Sequence, residues 1–387
     1  MRSGNGSQSP DALIVGAGAI GLACAWRAAQ RGLRVRVLER NEPGSGASGI
    51  AAGMLAPVGE ASWGEDRLLE AALASHATWP AFAAELAADS GVDSGFIGGG
   101  AVHVALDRDE AAELRRRHDL MTSLGLPAEW LGARDCRALE PGLHPSVVGG
   151  VHAPHEAGVD PRALVGALEL ACERAGVEIV SGAEVSGAVI DGDRLAGVES
   201  ADGQRHLAGA TVLAAGAWSG VARWLPDAAR PPVRPVKGQI LTLRANLDQA
   251  VAERIVVTER VYLVPRAEGR LVVGATVEEL GFDVRVTASG VHELLREAYR
   301  VVPDVLELEL ERAVAGLRPG TPDNAPLVGR GSLQGLLLAT GHFRNGILLA
   351  PLTAVGIAAT LCDEEPPPEL AVADPGRFAA DRIGVRG

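Results

Sequence analysis

The sequence predicts an α/β nucleotide-binding domain interleaved with a β-rich, α+β second domain. Three observations carry this. A short apolar strand runs into Gly16-x-Gly18-x-x-Gly21 and on into a helical stretch, Leu22 to Gln30. A second strand, Val35 to Leu38, ends at Glu39, 18 residues past Gly21. Finally, a series of β-runs between Gly238 and Ala275 interrupts the α/β alternation.

Each glycine of the first turn has a physical task. The first permits the tight turn, the second lets backbone approach a pyrophosphate, and the third lets helix pack on strand. Ala19 and Ile20 lie between them at the start of the helix, where free N–H groups and the positive helix end favour phosphate. An acid such as Glu39 binds ribose hydroxyls and disfavours a 2′-phosphate, so the residues leave NAD or FAD.

The stretch Glu42 to Pro57 is rich in glycine, alanine and serine and suits a backbone lying flat on a ligand. Trp63 to Ser90 has helical spacing, with Leu69, Leu73, His76, Trp79 and Phe82 expected on one face. Phe96 to Leu106 reads as one strand, followed by a charged helix from Asp107 to about Leu124. Asp160-Pro161 reads as N-cap and first turn of a helix running to Gly176, with a strand from Val177 to Val180 after it. Asp191-Gly192 and Asp202-Gly203 supply hairpin turns. The strand from Ala210 ends at Gly216-Ala-Trp218, where backbone again meets a ligand.

Arg230 to Pro235 reads as a proline-rich linker. Beyond Gly238 come four strands, then a helix from Gly290 to Val302. The strand Leu336 to Ala339 meets Gly341-His342-Phe343-Arg344-Asn345-Gly346, expected to open the last apolar helix. The resulting division is a nucleotide domain of residues 11–90, 146–229 and 312–370 and a substrate domain of 91–145 and 230–311, with tails at 1–10 and 371–387.

Composition narrows the partners. The 387 residues are 47% hydrophobic and 22% charged, as in ordinary globular proteins. A net charge of −13 argues against nucleic acid and against a polybasic membrane anchor. Cys24, Cys136, Cys172 and Cys362 lack metal spacing and read as reduced thiols. His152 and His155 lack a third ligand, so no metal is expected. Met1 to Pro10 reads as a polar tail rather than a signal peptide, and Asn5-Gly-Ser7, a glycosylation pattern, means little without export. The uncharged run Gly346 to Leu361 contains Pro351 and is too short to span a bilayer. A cytoplasmic protein is expected.

Several stretches together resemble the glycine oxidase branch of the D-amino acid oxidase family of flavoproteins. They are Ile14 to Gly21, Ala51-Ala-Gly53-Met54-Leu55, Pro235-Val-Lys-Gly238, Tyr262-x-Val-Pro-Arg266, Gly269 to Thr276, Gly316-Leu-Arg318-Pro-Gly-Thr321 and Gly341 to Pro351. The resemblance implies a glutathione-reductase-type fold, FAD as cofactor and oxidation of a small amino acid by O2, giving peroxide and, from glycine, glyoxylate and ammonia. It also implies a homo-oligomer, in this family a tetramer, and a supply of imine to thiamine synthesis.

By motif, Gly16, Gly18, Gly21, Glu39, Arg40, Ala47 and Ser48 would hold the ADP half of FAD and Val185 its adenine end. Ala52, Gly53 and Met54 would line the flavin, and His342, Phe343, Arg344, Asn345, Gly346, Ile347 and Leu348 would wrap its pyrimidine side. Arg318, Tyr262 and Arg344 match substrate-facing positions, and a guanidinium fork suits an α-carboxylate. Val277 stands where the family pattern has a methionine, implying a roomier pocket. Sarcosine oxidases and D-amino acid dehydrogenases of the same superfamily, and a flavin-binding assembly partner, are the alternatives. With no cysteine between Cys172 and Cys362, FAD is expected to be non-covalent.

Overall fold

A computed structural model describes residues 9–245 and 251–378. The expected tails lie largely outside them: residues 1–8, including Asn5-Gly-Ser7, and 379–387 are not among the described residues, while Pro368–Ala373 and Pro375–Phe378 form short 3-10 turns.

The architecture is mixed α/β, built on two large sheets. The first has six strands in the order Leu327–Arg330, Leu336–Thr340, Ala210–Leu213, Ala12–Val15, Val35–Leu38, Glu178–Val180. Its neighbours pair in parallel except at the Leu327–Arg330 edge, which is antiparallel. Parallel strands are covered on both faces, which is why Ala12–Val15 reads as an unbroken apolar run and is wholly buried. The helices Ala19–Gln30, Asp66–Ser90, Pro161–Arg174 and Ala350–Leu361 contribute to a core containing Trp26, Trp79, Phe82, Leu164 and Ile357. Trp26 and Trp79 each form a T-shaped pair with Phe82, 5.3 Å between centroids.

The second sheet has eight strands: Glu309–Gly320, Arg234–Arg244, Arg270–Gly274, Tyr262–Pro265, Ile255–Val257, Ala101–Ala105, Gly149–Ala153, Glu129–Gly132. It is antiparallel except where Ile255–Val257 lies parallel to Ala101–Ala105. The helix Ala288–Val301 covers one face with Leu294, Ala298 and Val301. Two smaller three-stranded sheets complete the fold, one made of the hairpins turning at Gly192 and Gly203.

Four expectations change. The run Phe96 to Leu106 is two strands in different sheets, Phe96–Gly98 and Ala101–Ala105, because Gly99 (φ 143°) and Gly100 (φ 79°) turn the chain between them. The long helix starts at Asp66 and buries Leu68, Ala72, Ser75, Trp79, Phe82 and Leu86, a face rotated from the expected one. Leu69 and Leu73 are displaced because Ser75 Oγ (2.7 Å) and Trp79 Nε1 (2.9 Å) both donate to the Leu348 carbonyl, setting the face by polar anchoring. Pro235 of the expected linker belongs to the strand Arg234–Arg244. There the strand pairs with Pro319 on one side only, so the missing N–H breaks no ladder. The last helix opens at Ala350 rather than Gly346; a turn closed by Leu349 N–H to Asn345 O (2.8 Å) precedes it.

Among the described residues no helix is long and apolar enough to cross a membrane.

Candidate active site

The glycine turn is built as its residue types require. Gly16 has φ 109°, and a side chain there would strike the Ala214 carbonyl at 2.5 Å, where the central parallel strands end. A Cβ on Gly21 would overlap the Gly16 carbonyl oxygen, so helix and turn close only on glycine. At Gly18 it would meet only Ser48 Oγ, at 3.0 Å. Gly18 is the helix N-cap but offers no side chain; Ser48 reaches over from the 3-10 turn Ala47–Gly49 and accepts from Ala19 N–H at 2.9 Å. The first intrahelical bond is Leu22 N–H to Gly18 O (2.9 Å), so Ile20 and Gly21 present N–H groups without intrahelical partners.

Glu39 hangs from the next strand. Its carboxylate accepts from Ala17 N–H (2.8 Å) and Asn41 N–H (3.0 Å), which holds it beside the turn. Ala183 N–H donates to the Glu39 carbonyl (2.8 Å), drawing the segment that leads to Val185 alongside. The Arg40 guanidinium lies over the Trp218 ring, 4.0 Å from its centroid. Thr340 Oγ1 donates to Gly216 O (3.1 Å) and shares a 2.8 Å hydrogen bond with Ser219 Oγ, so the 3-10 turn Gly216–Val221 is tied to the last parallel strand.

Gly16, Gly18, Ser48, Glu39, Arg40, Trp218 and Thr340 border one cavity of about 800 Å³ that continues onto the eight-stranded sheet. Every residue singled out from the sequence lines it except Gly21, which lies beneath the turn. Met54 is half-buried and pairs with Gly158. The carbonyl of its neighbour Ala52 accepts from the buried Arg266, whose charged form burial disfavours. None of the cysteines lines the cavity.

At the far end Arg318 and Tyr262 meet. Burial raises the Tyr262 phenol above its ordinary pKa, opposed by the adjacent Arg318 guanidinium, so the hydroxyl is a protonated donor at neutral pH. Both side chains depend on absent neighbours. A Cβ on Gly238 would sit 2.7 Å from Arg318 Cζ, and one on Gly274 would sit 2.5 Å from Tyr262 Cζ. Arg318 Nη1 donates to the carbonyls of Thr276 (3.2 Å) and Lys237 (3.4 Å). Val277, two-thirds exposed at 67%, stands at the rim.

Arg344 is placed differently from Arg318. Its side chain is 48% exposed and pairs with Glu60 at 3.1 Å, so its charge is already partnered and half in water. Glu60, another lining residue, escaped the sequence reading because one acid in an irregular stretch carries no spacing signal. His342 is fully enclosed, and its Nε2 shares a 3.0 Å hydrogen bond with Thr353 Oγ1 of the last helix.

Burial lowers the His342 imidazole to about 3, from an ordinary value near 6.5. A base depressed in the folded state takes its proton more readily when unfolded. His342 is therefore neutral and without cost above about pH 6.5, and costs stability progressively as pH falls from there towards 3. Replacing His342 by Gln is expected to flatten the fall in melting temperature between pH 7 and pH 4. An equally steep fall in the variant would assign the acid sensitivity elsewhere.

The cavity fits a flavin dinucleotide. The turn presents backbone N–H groups where a pyrophosphate would lie, the Gly216 face has no atom within 4 Å of a would-be Cβ, and Glu39 has lone pairs beyond the two in use.

Comparison with known proteins agrees. The family described as DAO, FAD dependent oxidoreductase, matches residues 11–360. The chain is 36% identical over 358 residues to the glycine oxidase of Geobacillus kaustophilus, covering 90% of this chain and 92% of that protein. It is 35% identical over 373 residues to the bifunctional protein ThiO/ThiG of Trichormus variabilis, covering 95% of this chain but 55% of that one, so it spans about half that relative's length. The crystal structure of the Geobacillus kaustophilus glycine oxidase superposes with a TM-score of 0.87 at 34% identity, covering 94% of this chain and 98% of that chain.

Proposed function

The chain belongs to the DAO family of FAD dependent oxidoreductases, and from that premise we propose that it oxidatively deaminates glycine and other small amines or D-amino acids. The observation that carries this is the meeting of Arg318 and Tyr262 in one cavity with the dinucleotide turn, over two glycines that leave them room. FAD, which the glycine turn, Glu39 and the segment 342–348 would hold, would supply a two-electron acceptor that O2 can reoxidise, with hydrogen peroxide as the product.

In this reading Gly16, Gly18, Ala19 and Ile20 cradle the pyrophosphate, Glu39 binds ribose hydroxyls, and Val185 borders the adenine. Ala52, Gly53 and Met54 lie against the flavin. Arg318 grips the substrate α-carboxylate with the N–H groups its carbonyl anchors leave over, and Tyr262 adds a hydroxyl donor. Together they orient the Cα–H bond, which is the main task in a reaction without an obligatory side-chain base. The N–H groups of Gly346, Ile347 and Leu348 in the turn 345–349 would hold the flavin's pyrimidine edge and favour negative charge there. Arg344 guards the entrance.

The substrate domain is built on the eight-stranded sheet and the nucleotide domain on the six-stranded one, so Gly149–Ala153 and Glu309–Gly320, which the division at 146 and 312 gave wholly or mostly to the nucleotide domain, go with the substrate domain because they pair into its sheet. A homo-oligomer in the cytoplasm whose imine product feeds thiamine synthesis belongs to the same proposal, as does glyoxylate as the product of hydrolysis.

The test is an anaerobic flavin-bleaching screen over glycine, sarcosine, D-alanine and D-proline, followed by peroxide measurement under air. Glycine or another small amine is expected to bleach the flavin with stoichiometric peroxide. Bleaching by L-amino acids alone would overturn the substrate class, and reduction without peroxide would favour a dehydrogenase.

A further inference from the structure

Behind Arg318, on the face of the sheet away from the cavity, lies a charged network that substrate binding does not account for. Along the strand Arg234–Arg244 side chains alternate between faces. Gly238 borders the cavity beneath the Arg318 guanidinium, while its neighbours Lys237 and Gln239 do not border it. Lys237 is fully buried at 0% exposure, and its Nζ lies 3.3 Å from Glu278 Oε2. Glu278 Oε1 accepts from Thr276 Oγ1 (2.5 Å) and Gln239 Nε2 (2.7 Å). Gln239 Oε1 in turn accepts from Thr287 N–H (2.9 Å), at the N-cap of the helix Ala288–Val301. Burial pushes the Glu278 carboxyl up, but the bonds from Thr276, Gln239 and Lys237 outweigh it and hold it below its usual value.

This network sits where the backbone most needs fixing. After Gly274 the chain leaves its strand, yet it returns to the same partner through Lys237 N–H to Glu278 O (2.8 Å) and Glu278 N–H to Lys237 O (3.0 Å). The Lys237 and Thr276 carbonyls, which receive Arg318 Nη1, belong to these two segments. The angle of the guanidinium therefore depends on how the segments are held together.

We propose that Lys237 and Glu278 are positioning residues for Arg318, the ion pair of the buried lysine with the half-buried glutamate clamping residues 276–278 to the strand so that the guanidinium presents its remaining N–H groups to a substrate carboxylate. This rests on the reading of Arg318 as the carboxylate ligand. Removing the Glu278 charge leaves Lys237 buried and unpaired, so the two segments part or repack and Arg318 loses its aim.

In the flavin-loaded enzyme, Glu278→Gln is expected to raise the KM for glycine and the inhibition constant of glycolate together by about tenfold, with kcat at saturating glycine within about threefold and flavin content unchanged. Glycolate serves as the probe because it keeps the carboxylate and exchanges the amine for a hydroxyl. Should that variant fail to fold, Lys237→Met/Glu278→Met removes both charges at once and is expected to show the same split, since Thr276 and Gln239 still lose their acceptor. A folded variant of either kind with both constants within twofold of the parent overturns the proposal. So does an equal loss of kcat and flavin without the split, which identifies a merely structural pair. Arg318→Leu in the same titration separates the two readings. If it leaves glycolate inhibition unchanged, the carboxylate assignment fails and the proposal with it; if it weakens inhibition while Glu278→Gln does not, only the positioning role fails.

Discussion

Arg318→Leu is expected to lower kcat/KM for glycine by roughly a hundred- to several-thousand-fold while the protein still purifies with FAD. Two charge-assisted hydrogen bonds to a carboxylate contribute about 3–5 kcal/mol together, and each 1.4 kcal/mol is about tenfold. Of the other arginines lining the cavity, Arg40 lies over Trp218, Arg117 donates to the Gly59 carbonyl and Arg260 is exposed. Arg344 is half in solvent and already bound to Glu60 at 3.1 Å, and exposed pairs of that kind contribute at most about 1 kcal/mol. Arg344→Leu is accordingly expected to cost less than about tenfold in the same assay. Steady-state kinetics on the two variants side by side check the ordering; comparable losses, or a larger one at Arg344, would move the carboxylate site to the cavity mouth. Leucine leaves the glycine floor at Gly238 untouched, so a lost activity is not a lost fold.

Gly21→Ala is expected to abolish stable FAD binding and to lower the melting temperature of the apoprotein. The added methyl would overlap the Gly16 carbonyl oxygen, and a methyl has no rotamer by which to escape. Helix and turn must separate, at a cost of about 1–3 kcal/mol in packing, and the N–H groups that would hold a pyrophosphate move with them. Gly18→Ala provides the contrast. Its methyl would meet only Ser48 Oγ at 3.0 Å, so apoprotein stability should hold while FAD binding weakens, because backbone can no longer approach the phosphates closely. Flavin fluorescence titration and thermal melts on both variants decide the matter. Gly21→Ala purified with full flavin and an unchanged melting temperature would show that the turn tolerates a side chain.

Much of this site was legible because its signals are local. Gly16, Gly18 and Gly21 announce a turn through their spacing, and Glu39 through its distance along the chain. Asp160-Pro161 announced a helix start, and Asp160 Oδ1 does accept from Arg162 N–H at 2.9 Å. The errors arose where a distant partner outweighed local preference. Gly99 and Gly100 looked like part of one strand until two sheets claimed its two halves. The face of Asp66–Ser90 followed Ser75 and Trp79 towards a carbonyl at Leu348, some 270 residues away in sequence, as their separations of 273 and 269 show. No periodicity encodes such a partner.

The amino-acid sequence by itself determined the dinucleotide turn and the acid beside it, since each depends on a residue type at a local spacing, while the arginine and tyrosine of the far end were marked by the resemblance of their motifs to a family. Only the tertiary structure decided how those ends communicate. It set Gly238 and Gly274 under Arg318 and Tyr262, bound Arg344 to Glu60, and buried Lys237 against Glu278 behind Arg318. The physical reason is that the reach and charge state of a side chain depend on what desolvates and neutralises it, and those neighbours are brought by strand pairing rather than by order along the chain.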